Sequence, residues 1–293
     1  MVITRLIGGN GNQMFQYAAG FAIAQRLNMK VLVDVNYLKD KSNRYFKFSN
    51  RDYVLDMFNI SGEIASDNQI SQFTVPRKGN KYFYHLKKRL ASERNIIREK
   101  NLTTCTSFKN IASHCYLEGY WQNPIYFKDY ENEIRQEFSF KNKLSEVCIP
   151  VLQRIENSNS VCIHVRRGDF VNHPTLDVVK IEFYYKALAI LSDIFPDLRL
   201  FVFSDDVSWC RENLELDLFE YEFIDPSLSG PHAEYHLHLM TFCKHFIIPN
   251  STFSWWGAWL SKSKEKIVIA PKKWFIGQTE SINDILPKEW ITI

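Results

Sequence analysis

The chain has 293 residues, 45% of them hydrophobic and 24% charged, with a formal net charge of +3. That length buries a large core in one or two domains, and so ordinary a composition excludes a low-complexity chain. The positive excess is too small for nucleic acid to be the main partner, and no internal repeat recurs at a fixed period.

Residues 2–7 read as a strand, 8–12 as a Gly/Asn loop, 13–27 as an amphipathic helix and 30–35 as a second strand. This β-loop-α-β unit favours a parallel sheet. The start lacks the basic residues, longer apolar stretch and small-residue cleavage site of a signal peptide. No run of about 18 apolar residues follows, so no transmembrane helix is expected. Cysteines at 105, 115, 148, 162, 210 and 243 show no C-x-x-C spacing. They fit a reduced, cytoplasmic setting, with Cys162 and Cys243 as small buried hydrophobes.

Residues 40–115 are less periodic. Within them, 77–100 carries nine Lys/Arg against Glu93 and Glu99. The segment reads either as a solvated helix face or as a contact with a polyanionic glycan or an anionic membrane, the latter peripheral at the inner membrane face. Residues 116–140 read as a strand, a turn at Pro124 and a helix. The stretch 150–160 is the expected boundary, giving domains 1–155 and 156–293. Strict alternation follows, with strands at 161–165, 199–203, 221–224, 245–248 and 266–270. Helices fall near 181–195, 207–214, 232–243 and 252–262. The expected fold class is therefore α/β, with two Rossmann-like doubly wound domains facing across a cleft in a GT-B-like architecture.

Five constellations bear on chemistry. Gly8-Gly9-Asn10-Gly11-Asn12-Gln13 joins a strand to a helix, but Met14 stands where a dinucleotide fingerprint needs its third glycine. Asp34 as a ribose partner falls with it. The loop then brings backbone and the Asn12 amide to a ligand at a helix start, or is a tight turn needing small residues. The apolar strand ending at His164 and Val165 runs into Arg166, Arg167, Gly168 and Asp169. Strand C-termini in open α/β sheets bind ligands, and arginine is a bidentate phosphate donor. Arg166 is assigned to phosphate, and Arg167 to a salt bridge with Asp169.

Asp205 and Asp206 follow the next buried strand. They read as a metal site against a pyrophosphate, as an acceptor for guanine N1–H and its exocyclic amine, or as a helix cap. One for the base and one for the cap is preferred. Asn250-Ser251-Thr252-Phe253-Ser254 precedes Trp255, Trp256, Gly257 and Ala258 and forms an anion site at a helix start. His232, His236 and His238 share one predicted helix, with His245 after it. Without H-E-x-x-H or cysteines at ligand spacing they read as solvent-facing or polar-satisfied, and no metal is expected.

Together these segments resemble the α-1,2-fucosyltransferases of glycosyltransferase family 11, in the bacterial type without a membrane anchor. Gly8 through Ala18 looks like the N-terminal signature, and Leu117-Glu118-Gly119-Tyr120-Trp121-Gln122 like a mid-chain one. His164 through Asp169 is similar to the H-x-R-R-x-D motif shared with α-1,6- and protein O-fucosyltransferases. Phe203-Ser204-Asp205-Asp206 and Asn250 through Ala258 complete the match. The resemblance implies GDP-β-L-fucose as donor, a galactose-terminated glycan as acceptor, inversion to an α-linkage, and no metal or other cofactor. It implies that 156–293 binds GDP-fucose and that 1–155 is the acceptor side.

Carried over, Arg166 binds the β-phosphate, and His164 with one of Asp205 and Asp206 holds guanosine. Ser251, Thr252 and Phe253 line the pyrophosphate, with Asn250 and Ser254 in the same loop, and Asn12 sits near the acceptor hydroxyl. Asp169 is the preferred base, with His173 the other group near in sequence. Asn10, His236 and Pro249 depart from the family's pattern. Trp121 reads either as a platform for a galactose face or as core. The alternatives are a fucosyltransferase of α-1,6 or protein O-linkage, and a non-catalytic glycan-binding protein.

Overall fold

The computed structural model describes residues 1–39, 52–74, 95–99, 106–277 and 285–293. The basic segment 77–100, apart from 95–99, and Cys105 lie outside the described residues. The chain divides into two compact units, Met1–Lys141 and Asn142–Ile293.

In the first unit the chain order is β1 (Val2–Arg5), α1 (Asn10–Arg26), β2 (Val31–Asp34), α2 (Asn36–Lys39), β3 (Glu63–Ile64) and α3 (Asp67–Ser71). Then come β4 (Ile96–Arg98), β5 (Cys115–Glu118) and α4 (Glu131–Glu137). Among the described residues the sheet order is β3-β2-β1-β5-β4, every pair parallel. Strand order reverses between β1 and β5, which makes their C-terminal ends the switch point.

Helix α1 starts at Asn10 rather than 13, so Asn10, Gly11 and Asn12 form its first turn. It is not amphipathic: Gln13 through Ala24 are all buried. Gly20 lets it close on β1, where an added Cβ would meet Thr4 at 3.2 Å. Its other side is covered by Phe127 and Phe138, which meet Phe15 and Tyr17. The buried amides are satisfied: Gln16 Oε1 accepts from Ile7 N at 2.9 Å, and its Nε2 donates to Gly119 O at 3.2 Å. This amide ties the ends of β1 and β5 together.

The second unit runs α5 (Ile149–Glu156), β6 (Asn159–Val165), α6 (Ile181–Ile194), β7 (Leu198–Ser204), α7 (Val207–Asn213) and β8 (Glu220–Phe223). It continues with α8 (Glu234–Phe242), β9 (His245–Ile247), α9 (Thr252–Leu260), β10 (Val268–Ala270) and β11 (Ile291–Thr292). The sheet order is β11-β10-β9-β6-β7-β8, all parallel, with the reversal between β6 and β9.

The units part after Lys141, earlier than the expected 155/156. Pro150 opens helix α5 instead of marking a linker. That helix belongs to the second unit, where Arg154 Nε and Nη2 reach Glu222 at 2.7 Å each. Strands β6 and β7 are almost wholly buried, as expected of strands covered on both faces. Helix α9 is apolar beyond its first turn; Trp255, Trp256 and Trp259 interlock, and Gly257 lies against Met240 of α8. Each such buried aromatic stabilises by roughly 1.5–3 kcal/mol.

Among the described residues no helix is long and apolar enough to cross a membrane. The five described cysteines are buried and free.

Candidate active site

The switch point of the second sheet gathers most of the candidate residues. Val165 on β6 pairs with Ser204 on β7, so Arg166 and Asp205 leave the sheet side by side. Arg166 Nη1 lies 2.9 Å from Asp205 Oδ2, and Nη2 lies 2.5 Å from Asp169 Oδ1. The short 3-10 turn Gly168–Phe170 folds Asp169 back under Arg166. The expected Arg167–Asp169 bridge is therefore not the one formed. Arg167 instead places Nε 3.2 Å from Asp206 and its guanidinium 3.7 Å above the Trp209 ring.

The two aspartates split their work, as the sequence suggests for adjacent side chains. Asp206 is the cap, since its carboxylate accepts from Trp209 N at 3.1 Å at the start of α7. Asp205 accepts from Arg167 N at 2.9 Å in addition to its pair with Arg166.

His164, two residues before the first arginine, is 5% exposed. Its Nδ1 is 2.9 Å from Ser254 Oγ, and its carbonyl accepts from Tyr184 OH at 3.2 Å. Burial above all, then Arg166 and His236, push its pKa down to about 3, so the ring is neutral. The contact fastens the end of β6 to the first turn of α9, where Ser251 is the N-cap and Thr252, Phe253 and Ser254 follow. Phe253 lies 5.9 Å from the His164 ring. Backbone N–H groups gather at such a helix start. Arg166, Arg167, Lys180 and Trp209 line a concavity beside β6.

Asn250 lines the same concavity and also braces its loop. Its Nδ2 donates to Leu176 O at 3.1 Å and Trp274 O at 2.8 Å, so both amide hydrogens are spent on carbonyls. It clamps three loops around the helix start. Asn250→Ala is expected to destabilise the protein by about 2–3 kcal/mol, since two carbonyls lose their donor. Urea unfolding should show a lower midpoint at an unchanged slope.

Asn12 lies at the switch point of the first sheet, in the first unit. Its Oδ1 accepts from Gln122 Nε2 at 2.8 Å. Gly8 has φ +77°, and a Cβ there would fall 2.4 Å from Asn12 Nδ2, so the turn needs glycine on both counts. Trp121 is wholly buried against Phe108 and Tyr126, which makes it core and not a sugar platform. Glu99 was not singled out by the sequence. It accepts from Tyr120 N at 2.7 Å and Trp121 N at 3.0 Å, and burial raises its pKa. Nothing in its spacing marks it.

The histidines do not assemble into a metal site. Helix α8 begins at Glu234, which leaves His232 outside it, and His236 packs on Phe203 with Nε2 3.2 Å from Asp225 O. Among the described residues no three His, Cys, Asp or Glu side chains gather as metal ligands.

A guanidinium clamped by two carboxylates at the switch point of a parallel sheet presents N–H donors of the kind that phosphate oxygens accept from. Residues 1–293 match the profile of Glycosyl transferase family 11, and the chain belongs to that family. It is 31% identical to the O-antigen biosynthesis glycosyltransferase WbnK of Escherichia coli, over 98% of this chain and 99% of the relative. It is 32% identical to an alpha-1,2-colitosyltransferase of Escherichia coli, over 100% and 99%. Galactoside alpha-(1,2)-fucosyltransferase 2 of Rattus norvegicus is 26% identical, over 87% of this chain and 65% of the relative. A mutant FUT1 of Arabidopsis thaliana in complex with GDP shares the fold, with a TM-score of 0.52 and 14% identity over 91% of this chain and 69% of that one. The fold is α/β and GT-B-like, and the chain is a glycosyltransferase.

Proposed function

We propose that the enzyme transfers L-fucose from GDP-β-L-fucose to the 2-hydroxyl of a β-galactose in an oligosaccharide, inverting to an α-linkage without a metal. The carrying observation is Arg166, held by Asp205 and Asp169 beside the α9 helix start, in a chain of family 11. The α-1,2 linkage is supported by the names of the colitosyl- and fucosyltransferase relatives, and an O-antigen-type acceptor by that of WbnK.

Fucosyl transfer passes through a state with oxocarbenium character on the sugar and growing negative charge on GDP. Arg166 and the α9 N–H groups stabilise that charge. Asn12 serves the acceptor hydroxyl, whose alignment behind C1 contributes much of the remaining acceleration. Asp169 is the proposed proton acceptor, and a loose transition state asks only for a weak base.

The colitosyltransferase relative favours a second reading, the same linkage with a colitosyl donor. Colitose is the 3-deoxy counterpart of fucose, so only a site that hydrogen-bonds the 3-hydroxyl separates the two strongly.

The test is transfer from GDP-fucose and GDP-colitose to lactose and to β-1,3-linked galactosides, with linkage read by NMR. An α-1,2-fucosyl product formed at the same rate in EDTA is expected. A strict Mg²⁺ or Mn²⁺ requirement overturns the metal-free part, and a preference for GDP-colitose selects the second reading. Galactoside binding without GDP affinity overturns the donor reading.

A further inference from the structure

Asp205 commits both carboxylate oxygens to the end of β6. Oδ2 is 2.9 Å from Arg166 Nη1, and Oδ1 accepts from Arg167 N at 2.9 Å. One side chain thus holds the guanidinium and the backbone that carries it. The room comes from Gly168, where a Cβ would lie 2.5 Å from Asp205 Oδ2. Gly168 is not among the positive-φ glycines, which are Gly8, Gly230 and Gly277. Its backbone conformation therefore does not demand glycine; the space does.

We propose that Asp205 is a positioning residue that fixes the plane of the Arg166 guanidinium and does not read the nucleotide base, and that Gly168 is glycine to admit this carboxylate. Reading guanine takes two oxygens turned toward a ring N–H and an exocyclic amine, whereas Asp205 turns one oxygen to the Arg166 guanidinium and the other to Arg167 N. Asp206, the cap of α7 and partner of Arg167, is engaged as well. A guanidinium carries five N–H donors in one plane. With Nη1 on Asp205 and Nη2 on Asp169, that plane is set before a phosphate arrives, which is where pre-organisation lowers a barrier. The inference deepens the proposed donor reading and rests on it.

The experiment is a double-mutant cycle on the full chain, with Asp205→Ala, Gly168→Ala, the pair of them, and the isosteric Asp205→Asn. Thermal melts establish that each variant is folded. Transfer rates are paired with calorimetry of GDP and of inosine diphosphate, which lacks the 2-amino group of guanine.

Asp205→Ala is expected to lower kcat/KM on the order of 10²-fold with the GDP-over-IDP preference unchanged. Asp205→Asn keeps one of the two contacts and should fall between. Gly168→Ala should impair the parent and add little once Asp205 is alanine, because the crowded atom is gone. Three results overturn the inference: loss of the GDP-over-IDP preference in Asp205→Ala, full additivity of the two alanines, or parental kinetics for Asp205→Ala. Failure of the parent to bind GDP overturns the donor reading instead, while the cycle still reports on Asp205 through whichever donor is used.

Discussion

Arg166→Ala is expected to lower kcat/KM by about 10³-fold with the fold intact. The side chain is 23% exposed, and its guanidinium faces the half-buried Phe170 ring at 5.5 Å. Partly exposed ion pairs of this kind contribute roughly 0–1 kcal/mol each to stability. Removing the side chain leaves Asp169 and Asp205 without its guanidinium, while Arg167 keeps Asp206. The loss in transfer is another matter, because the charge growing on the leaving diphosphate then meets carboxylates without their cation. Arg166→Lys separates charge from geometry. An ammonium keeps the sign but cannot hold two carboxylates and a phosphate in one plane, so a loss of about 10²-fold is expected. Initial rates with a melting curve on each variant decide the point. Near-parental rates for the alanine variant would sink the phosphate role, and an unfolded variant would move Arg166 into the scaffold.

The placing of Arg166 was legible because two simple rules coincide there. An apolar run of strand length ends in arginines, and strand ends of a parallel sheet face the ligand. The alternation from residue 161 onward announced that sheet. What the sequence did not reveal is who pairs with whom. That is set by the β6–β7 register and by the turn at Gly168–Phe170, which hands Asp169 to Arg166 and leaves Arg167 to Asp206.

The misreadings have two causes. Helix α1 was expected to be amphipathic, yet it is covered on every face. Gly20 admits the sheet, and Gln13 and Gln16 look polar in sequence while being bonded inside. Asn250 lines the concavity with Arg166, and nothing in the sequence signals that its amide also donates to Leu176 and Trp274, which lie far from it in the chain. Pro150 looked like a linker and begins a helix. For helix α1 and Asn250 long-range contacts set the surroundings, while Pro150 follows a local rule, since proline suits the first turn of a helix.

Acid stability gives the second large effect, and it centres on His164. An unfolded histidine takes up its proton as pH falls through about 6.5, whereas the folded ring, buried beside Arg166, resists until about 3. Between those values the unfolded state binds more protons, so folding stability falls as pH falls. From pH 7 to pH 5 this one ring accounts for about 2 kcal/mol, at roughly 1.4 kcal/mol per unit. His236, His238 and His245 are lowered too, chiefly by burial, and act in the same direction. Denaturant unfolding of the parent and of His164→Gln at pH 7 and pH 5 isolates the contribution. The variant loses its ring contact with Ser254 and starts from a lower stability, but should lose about 2 kcal/mol less on acidification. Parallel losses in the two proteins would mean that the folded ring protonates as freely as the unfolded one. Because Arg166 is the second cause of the depression, Arg166→Ala should soften the same acid dependence, although less than His164→Gln does. The cation proposed to receive the leaving diphosphate thereby adds to the burial that keeps its neighbouring imidazole neutral.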